Sequence, residues 1–213
     1  GLTVTGTANA YNVVFNGSSN TIAGATTFNN TGTVTLGNGS DTTAFTGGVV
    51  ATAPSSINLN GTVTAAGTGV ITLGDANTGI SVGGNSTVGG TSTGNITLGA
   101  ATLADGVTLT VGTGRANTLS LSSVTGTASG TASNLTINTT GAATVSGAVG
   151  TDIGTVTVTQ SGGTTFSSTV DAATITLTNS AVSSSITFSD NVTATTGLTV
   201  SAGTAAYNVV FNG

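Results

Sequence analysis

The chain has 213 residues, with six acidic groups, one basic group and a net charge of −5, and only 3% of its residues are charged. A single arginine excludes the clustered cations that nucleic-acid binding requires, and it equally excludes attraction to an acidic membrane surface. Lys, Glu, His, Cys, Met and Trp are all absent, which excludes disulfides, thiolate or imidazole metal sites and histidine-based triads.

The chain opens on "GLTVTGTANAYNVVFNG" (residues 1–17), and it closes on "GLTVSAGTAAYNVVFNG" (residues 197–213). Tyr11 recurs as Tyr207, an offset of 196 residues. Residues 1–196 therefore read as one long repeat, and residues 197–213 as the start of the next, in a segment of a larger tandem array.

Within the repeat an apolar–Thr–apolar triplet returns. It appears as Leu2-Thr3-Val4, Val34-Thr35-Leu36, Ile71-Thr72-Leu73 and Ile96-Thr97-Leu98, with Leu119-Ser120-Leu121 as a serine version. It continues as Leu135-Thr136-Ile137, Val156-Thr157-Val158, Ile175-Thr176-Leu177 and Leu198-Thr199-Val200. Side chains alternate faces along a strand, so each triplet turns two apolar groups inward and one hydroxyl outward. Thr72, Thr97, Thr136, Thr157 and Thr176 are expected to be exposed and their neighbours buried.

Weaker strands follow the triplets after short turns, as in "ATTF" (25–28), "AATVSGAV" (142–149) and "SITFSDNV" (185–192). Gly and Asn cluster between them and mark corners. No stretch has the 3.6-residue apolar spacing of a helix, and no apolar run is long enough to span a membrane. From Ile71 onward the triplets step by about 21 residues. This is the size of one coil of a parallel β-helix, so the chain is expected to be all-β, a right-handed parallel β-solenoid with no significant helix. An antiparallel sandwich is the alternative. The six phenylalanines, Phe15, Phe28, Phe45, Phe166, Phe188 and Phe211, are candidate interior fillers. Asn38, Asn60, Asn138 and Asn179 are candidates for hydrogen-bonded corner ladders.

The run "NLTINTTGAATVSGAVGTDIGTVTVTQSGGTTFSSTVDAATITLTNS" (134–180) resembles the repetitive cores of very large bacterial surface exoproteins of the filamentous-haemagglutinin-like type. That resemblance implies a right-handed parallel β-helix serving as the stalk of an adhesin or related surface fibre.

No catalytic, cofactor or metal site is expected. Carbohydrate-cleaving β-helices need paired carboxylates or carboxylates with a basic partner. Here the acids are Asp41, Asp75, Asp105, Asp152, Asp171 and Asp190, scattered along the chain and expected to cap turns; Asp171 with Asp190 is the pair weighed as a site. Arg115, in "GTGRAN", reads as a solvated loop residue. The expectation is a non-enzymatic, extracellular or cell-surface structural segment whose partner is itself, end to end, with glycans or other cell surfaces as further partners. Alternatives are a self-assembling subunit of a sheath, surface layer or filament, and a glycan-binding or ice-binding β-helix. Ice binding would need outward threonines in register on successive coils, and the unequal triplet steps argue against it.

Overall fold

The computed structural model describes all 213 residues, which form twenty-four short strands and no helix. Every strand pairing is parallel, which rules out the antiparallel sandwich. The strands stack in three ladders that make the three faces of a solenoid. The first face is the ten-strand series from Leu2–Val4 through Thr26–Phe28, Val49–Ala51 and Ile71–Leu73 to Asn208–Phe211. The second runs from Val13–Phe15 through 34–36, 57–59 and 80–82 to 192–194. The third runs from Ser19–Ile22 through 42–45, 62–65 and 87–90 to 198–200. The chain visits the faces in the order first, second, third, then begins the next coil.

Along the first face, Leu2 and Val209 are nine coils and 207 residues apart, a mean of 23 residues per coil. The expected 21 is corrected by the faces. Ile71, Ile96 and Leu119 lie on the first face, whereas Leu135, Val156, Ile175 and Leu198 lie on the third. The short step of 16 from Leu119 to Leu135 crosses two faces rather than completing a turn.

Alternation of side chains explains the core. Ile71, Leu73, Ile96, Leu98, Leu135, Ile137, Val156, Val158, Ile175 and Leu177 are buried, within one continuous cluster of 41 apolar residues. The triplet threonines do point outward, but they are half-buried rather than fully exposed. Each is flanked by the outward residues of the coils above and below, about 4.8 Å away. Unequal coil lengths are absorbed in the corners, so the face registers stay constant. Glycine is required where a corner leaves a face sharply. Gly112 follows buried Val111 with φ +86°, and a Cβ there would meet Asn138 O at 2.2 Å.

Phe28, Phe45, Phe166 and Phe188 fill the interior as expected. Phe15, Phe28 and Phe45 come from the second, first and third faces, and their rings meet edge to face at 6.0–6.1 Å, closing the cross-section near the start of the chain. Phe166, Phe188 and Phe211 lie on one face, stacked at 4.9 and 5.1 Å in step with the coils.

Candidate functional site

Three surfaces follow from this stacking: a buried polar column at one edge, rows of outward threonine, and the end of the solenoid at residues 197–213.

The polar column occupies the edge between the third and first faces. Ser92, Asn117, Thr139, Ser161 and Ser180 are all buried there, one per coil. Their side chains bond backbone groups of the corners. Asn117 Nδ2 donates to Ser92 O at 2.9 Å and Gly94 O at 2.7 Å. Thr139 Oγ1 lies 2.6 Å from Asn117 O and 2.8 Å from Arg115 O, and it accepts Gly141 N–H at 3.0 Å. Ser92 Oγ lies 2.6 Å from Gly69 O and accepts Gly94 N–H. Ser161 and Ser180 hydroxyls are 3.1 Å apart. Buried backbone groups must be paired, and Ser92, Asn117, Thr139 and Ser180 do it across to the coil before, whereas Ser161 bonds Ser180 and its own corner's Gly163 N–H.

The four asparagines expected to ladder with one another do not. Asn138 Oδ1 accepts from Gln160 Nε2 at 3.1 Å, and Asn179 Oδ1 accepts Thr204 N–H at 3.1 Å. Asn38 donates its backbone N–H to Asp41 Oδ2 at 2.9 Å, and the Asn60 side chain packs beside Gly83. The corner column was missed because Ser, Thr and Asn are so common in this chain. One signal was present: Ser92-x-Gly94, Thr139-x-Gly141 and Ser161-x-Gly163 share a spacing, with the glycine N–H bonded to the hydroxyl.

The threonine rows are more regular than triplet spacing implied. On the third face Thr42, Thr62, Thr87, Thr110, Thr136, Thr157, Thr176 and Thr199 are in register on eight successive coils. On the first face Thr3, Thr27, Thr72, Thr97, Thr144, Thr165 and Thr187 form a row interrupted by Val50 and Ser120. These are uncharged rows of threonine hydroxyls and methyls, suited to hydrogen bonding but not to proton transfer.

The acidic residues are dispersed. Asp75 Oδ1 accepts the N–H groups of Asn77 and Thr78 at 2.8 and 2.9 Å, and Asp41 and Asp190 cap neighbouring N–H groups likewise. Asp171 departs from the turn expectation: it stands outward on a strand of the second face, in register with Thr193. Asp190 lies in a corner. No group of three or more potential metal ligands occurs. Arg115 is exposed at a strand end, paired with Thr139 in the ladder. The one cavity, of ≈ 290 Å³, is a neutral groove beside the column, lined by Gln160, Asn179, Val182, Thr204 and five others.

The end of the solenoid carries the repeated window. Tyr207 O–H lies 2.8 Å from Ser201 O, and Tyr11 O–H bonds Thr5 O, so in both windows the tyrosine closes a loop on the carbonyl six residues back. Burial raises the pKa of the Tyr207 phenol. Val4 is 9% exposed beneath the following coil, whereas its counterpart Val200 is 50% exposed.

Fold and surfaces together define a three-faced parallel β-solenoid whose faces carry few charges. The chain matches no protein-family profile, no curated protein and no solved structure.

Proposed function

We propose that this chain is a non-catalytic structural segment of a long, tandem-repeat extracellular fibre or adhesin stalk. The observation that carries the reading is the repeated window: Gly-Leu-Thr-Val and Ala-Tyr-Asn-Val-Val-Phe-Asn-Gly recur 196 residues apart, and in both copies the tyrosine hydroxyl bonds the carbonyl six residues back. A solenoid coil cannot bury its apolar face alone and is completed by its neighbours. A repeat that begins again with the same strands supplies that neighbour. Low charge and threonine-rich faces leave little for acid–base chemistry and much for passive, hydrated surface. The test is the mass and location of the intact native polypeptide. A stalk gives a protease-accessible surface polypeptide of many 196-residue repeats. A free subunit of about the 20.0 kDa of this chain would replace the stalk by a self-assembling sheath or filament, and an intracellular chain would overturn both.

A second reading is favoured by one feature, the eight-coil threonine row of the third face. In-register threonines about 4.8 Å apart offer an ordered array to water or to glycan hydroxyls, so ice or glycan binding is the alternative role of the faces. Thermal hysteresis of the purified chain and binding to a glycan array test it, and silence in both would retire it.

A further inference from the structure

The repeat and the coil are out of step. Leu2-Thr3-Val4 lies on the first face, paired with Thr26–Phe28, but its copy Leu198-Thr199-Val200 lies on the third, paired with Ile175–Leu177. Val13–Phe15 lies on the second face, but its copy Val209–Phe211 lies on the first. Both copies have moved back by one face. From Leu2, eight full turns lead to Ile186 and two further faces lead to Leu198, so one repeat spans eight turns and two faces.

We infer that each repeat of the fibre is turned back by one face, about a third of a turn, relative to the one before it. The end surface formed by Leu198, Val200, Val209 and Phe211 is then the seat of residues 26–45 of a second copy of this sequence. This rests on the tandem-fibre reading proposed above.

The exposed strands show where a further coil fits, and the corner lengths bear on how it is turned. Leu198, Val200 and Phe211 are 40%, 50% and 50% exposed, whereas their counterparts Leu2, Val4 and Phe15 pack into the core beneath Phe28 and Phe45. Leu2, Val4 and Phe15 carry a following coil, and Leu198, Val200 and Phe211 offer the same apolar positions to one. The corners also agree. The eight-residue corner at 5–12 joins the first face to the second, while the seven-residue corners at 178–184 and 201–207 join the third face to the first. A shift of one face sets long corners on long corners along one edge; an unshifted join would set the long corner of a new repeat on the three-residue corner at 189–191.

The seat has a defined register. Thr3 pairs with Thr27 and Val14 with Thr35, so Thr199 is placed against Thr27 of the next copy and Val210 against its Thr35. Phe211 keeps its stack on Phe188 and meets the next copy's Phe28 and Phe45, joining the one-face stack to the three-face cluster. The original orientation returns after three repeats, so features of one edge are shown on three sides of the fibre in turn.

The test is a two-repeat chain, residues 1–213 followed by a second copy of residues 18–213, in which cysteine pairs are placed in a background that has none. Parallel strands about 4.8 Å apart allow a disulfide between in-register outward positions. Thr199→Cys with second-copy Thr27→Cys, and Val210→Cys with second-copy Thr35→Cys, are expected to oxidise to an intramolecular cross-link. Val210→Cys with second-copy Thr27→Cys is expected to stay reduced. If only that last pair closes, repeats keep their faces, and the turned join is wrong while the fibre stands. If no pair closes, hydrogen exchange on the cysteine-free two-repeat chain decides. Amides of 198–200 and 209–211 no better protected than in the single repeat would overturn both the join and the fibre. Protection gained there without any of the expected cross-links would overturn the turned join alone.

Discussion

Tyr11 and Tyr207 close a loop by the same hydrogen bond in two different places. Each hydroxyl bonds the carbonyl six residues earlier, Thr5 O and Ser201 O, yet Tyr11 sits between the first and second faces and Tyr207 between the third and first. Residues 5–9 (TGTAN) and 201–205 (SAGTA) differ at every position, and Gly203 takes φ +66° where Thr7 stays at negative φ, so what the two loops share is the tyrosine closure. Tyr207 also lies 3.2 Å from Leu177 O in the coil below. Tyr11→Phe should cost about 0.5–1.5 kcal/mol, the net worth of one hydrogen bond. Tyr207→Phe should cost more, because it also leaves a carbonyl of the coil below without this partner. Denaturant midpoints of the two variants check the order.

Burial holds the Tyr207 phenol protonated to higher pH than in the unfolded chain. The stabilisation is therefore complete below the unfolded tyrosine value of about 10 and is lost as pH rises through the higher folded value. Stability measured from pH 9 upward should decline, and Tyr207→Phe should flatten that decline. An unchanged slope in the variant would remove Tyr207 as its source.

The buried column should matter more than the threonine rows. Thr139→Val keeps the shape but strands Gly141 N–H and weakens the pairing of Asn117 O and Arg115 O. It should destabilise by about 1–3 kcal/mol. Thr157→Val, the same change on the outward row, should stay within about 0.5 kcal/mol. Equal effects in thermal unfolding would contradict the assignment of the column as the tie between coils.

The two phenylalanine groups should differ in the same way. Phe45→Ala empties part of a closed three-ring cross-section and should cost about 3–5 kcal/mol. Phe211→Ala should cost about 1–2 kcal/mol in the 213-residue chain, since half of that side chain meets water. In the two-repeat chain its cost should rise toward that of Phe45.

The apolar–Thr–apolar triplets made the strands legible, because alternation along a strand is a purely local rule. Coil length was read short, at 21 instead of 23, because triplets from two faces look alike: Leu119 and Leu135 carry the same pattern but belong to different ladders. The constancy of the threonine register was hidden for a related reason, since corners of unequal length conceal it in the linear order. Which serines and threonines turn inward is decided by corner geometry, so Thr139 and its neighbour Thr140, one buried and one exposed, cannot be told apart by residue type.

The most direct test of the fibre account is the shape of one repeat against two. Small-angle X-ray scattering of residues 1–213 and of the two-repeat chain gives both length and cross-section. Eight turns and two faces at about 4.8 Å per coil predict that the second repeat lengthens the particle by about 42 Å and leaves its cross-sectional radius unchanged. A particle that thickens, or that scatters as two independently tumbling beads, would contradict it.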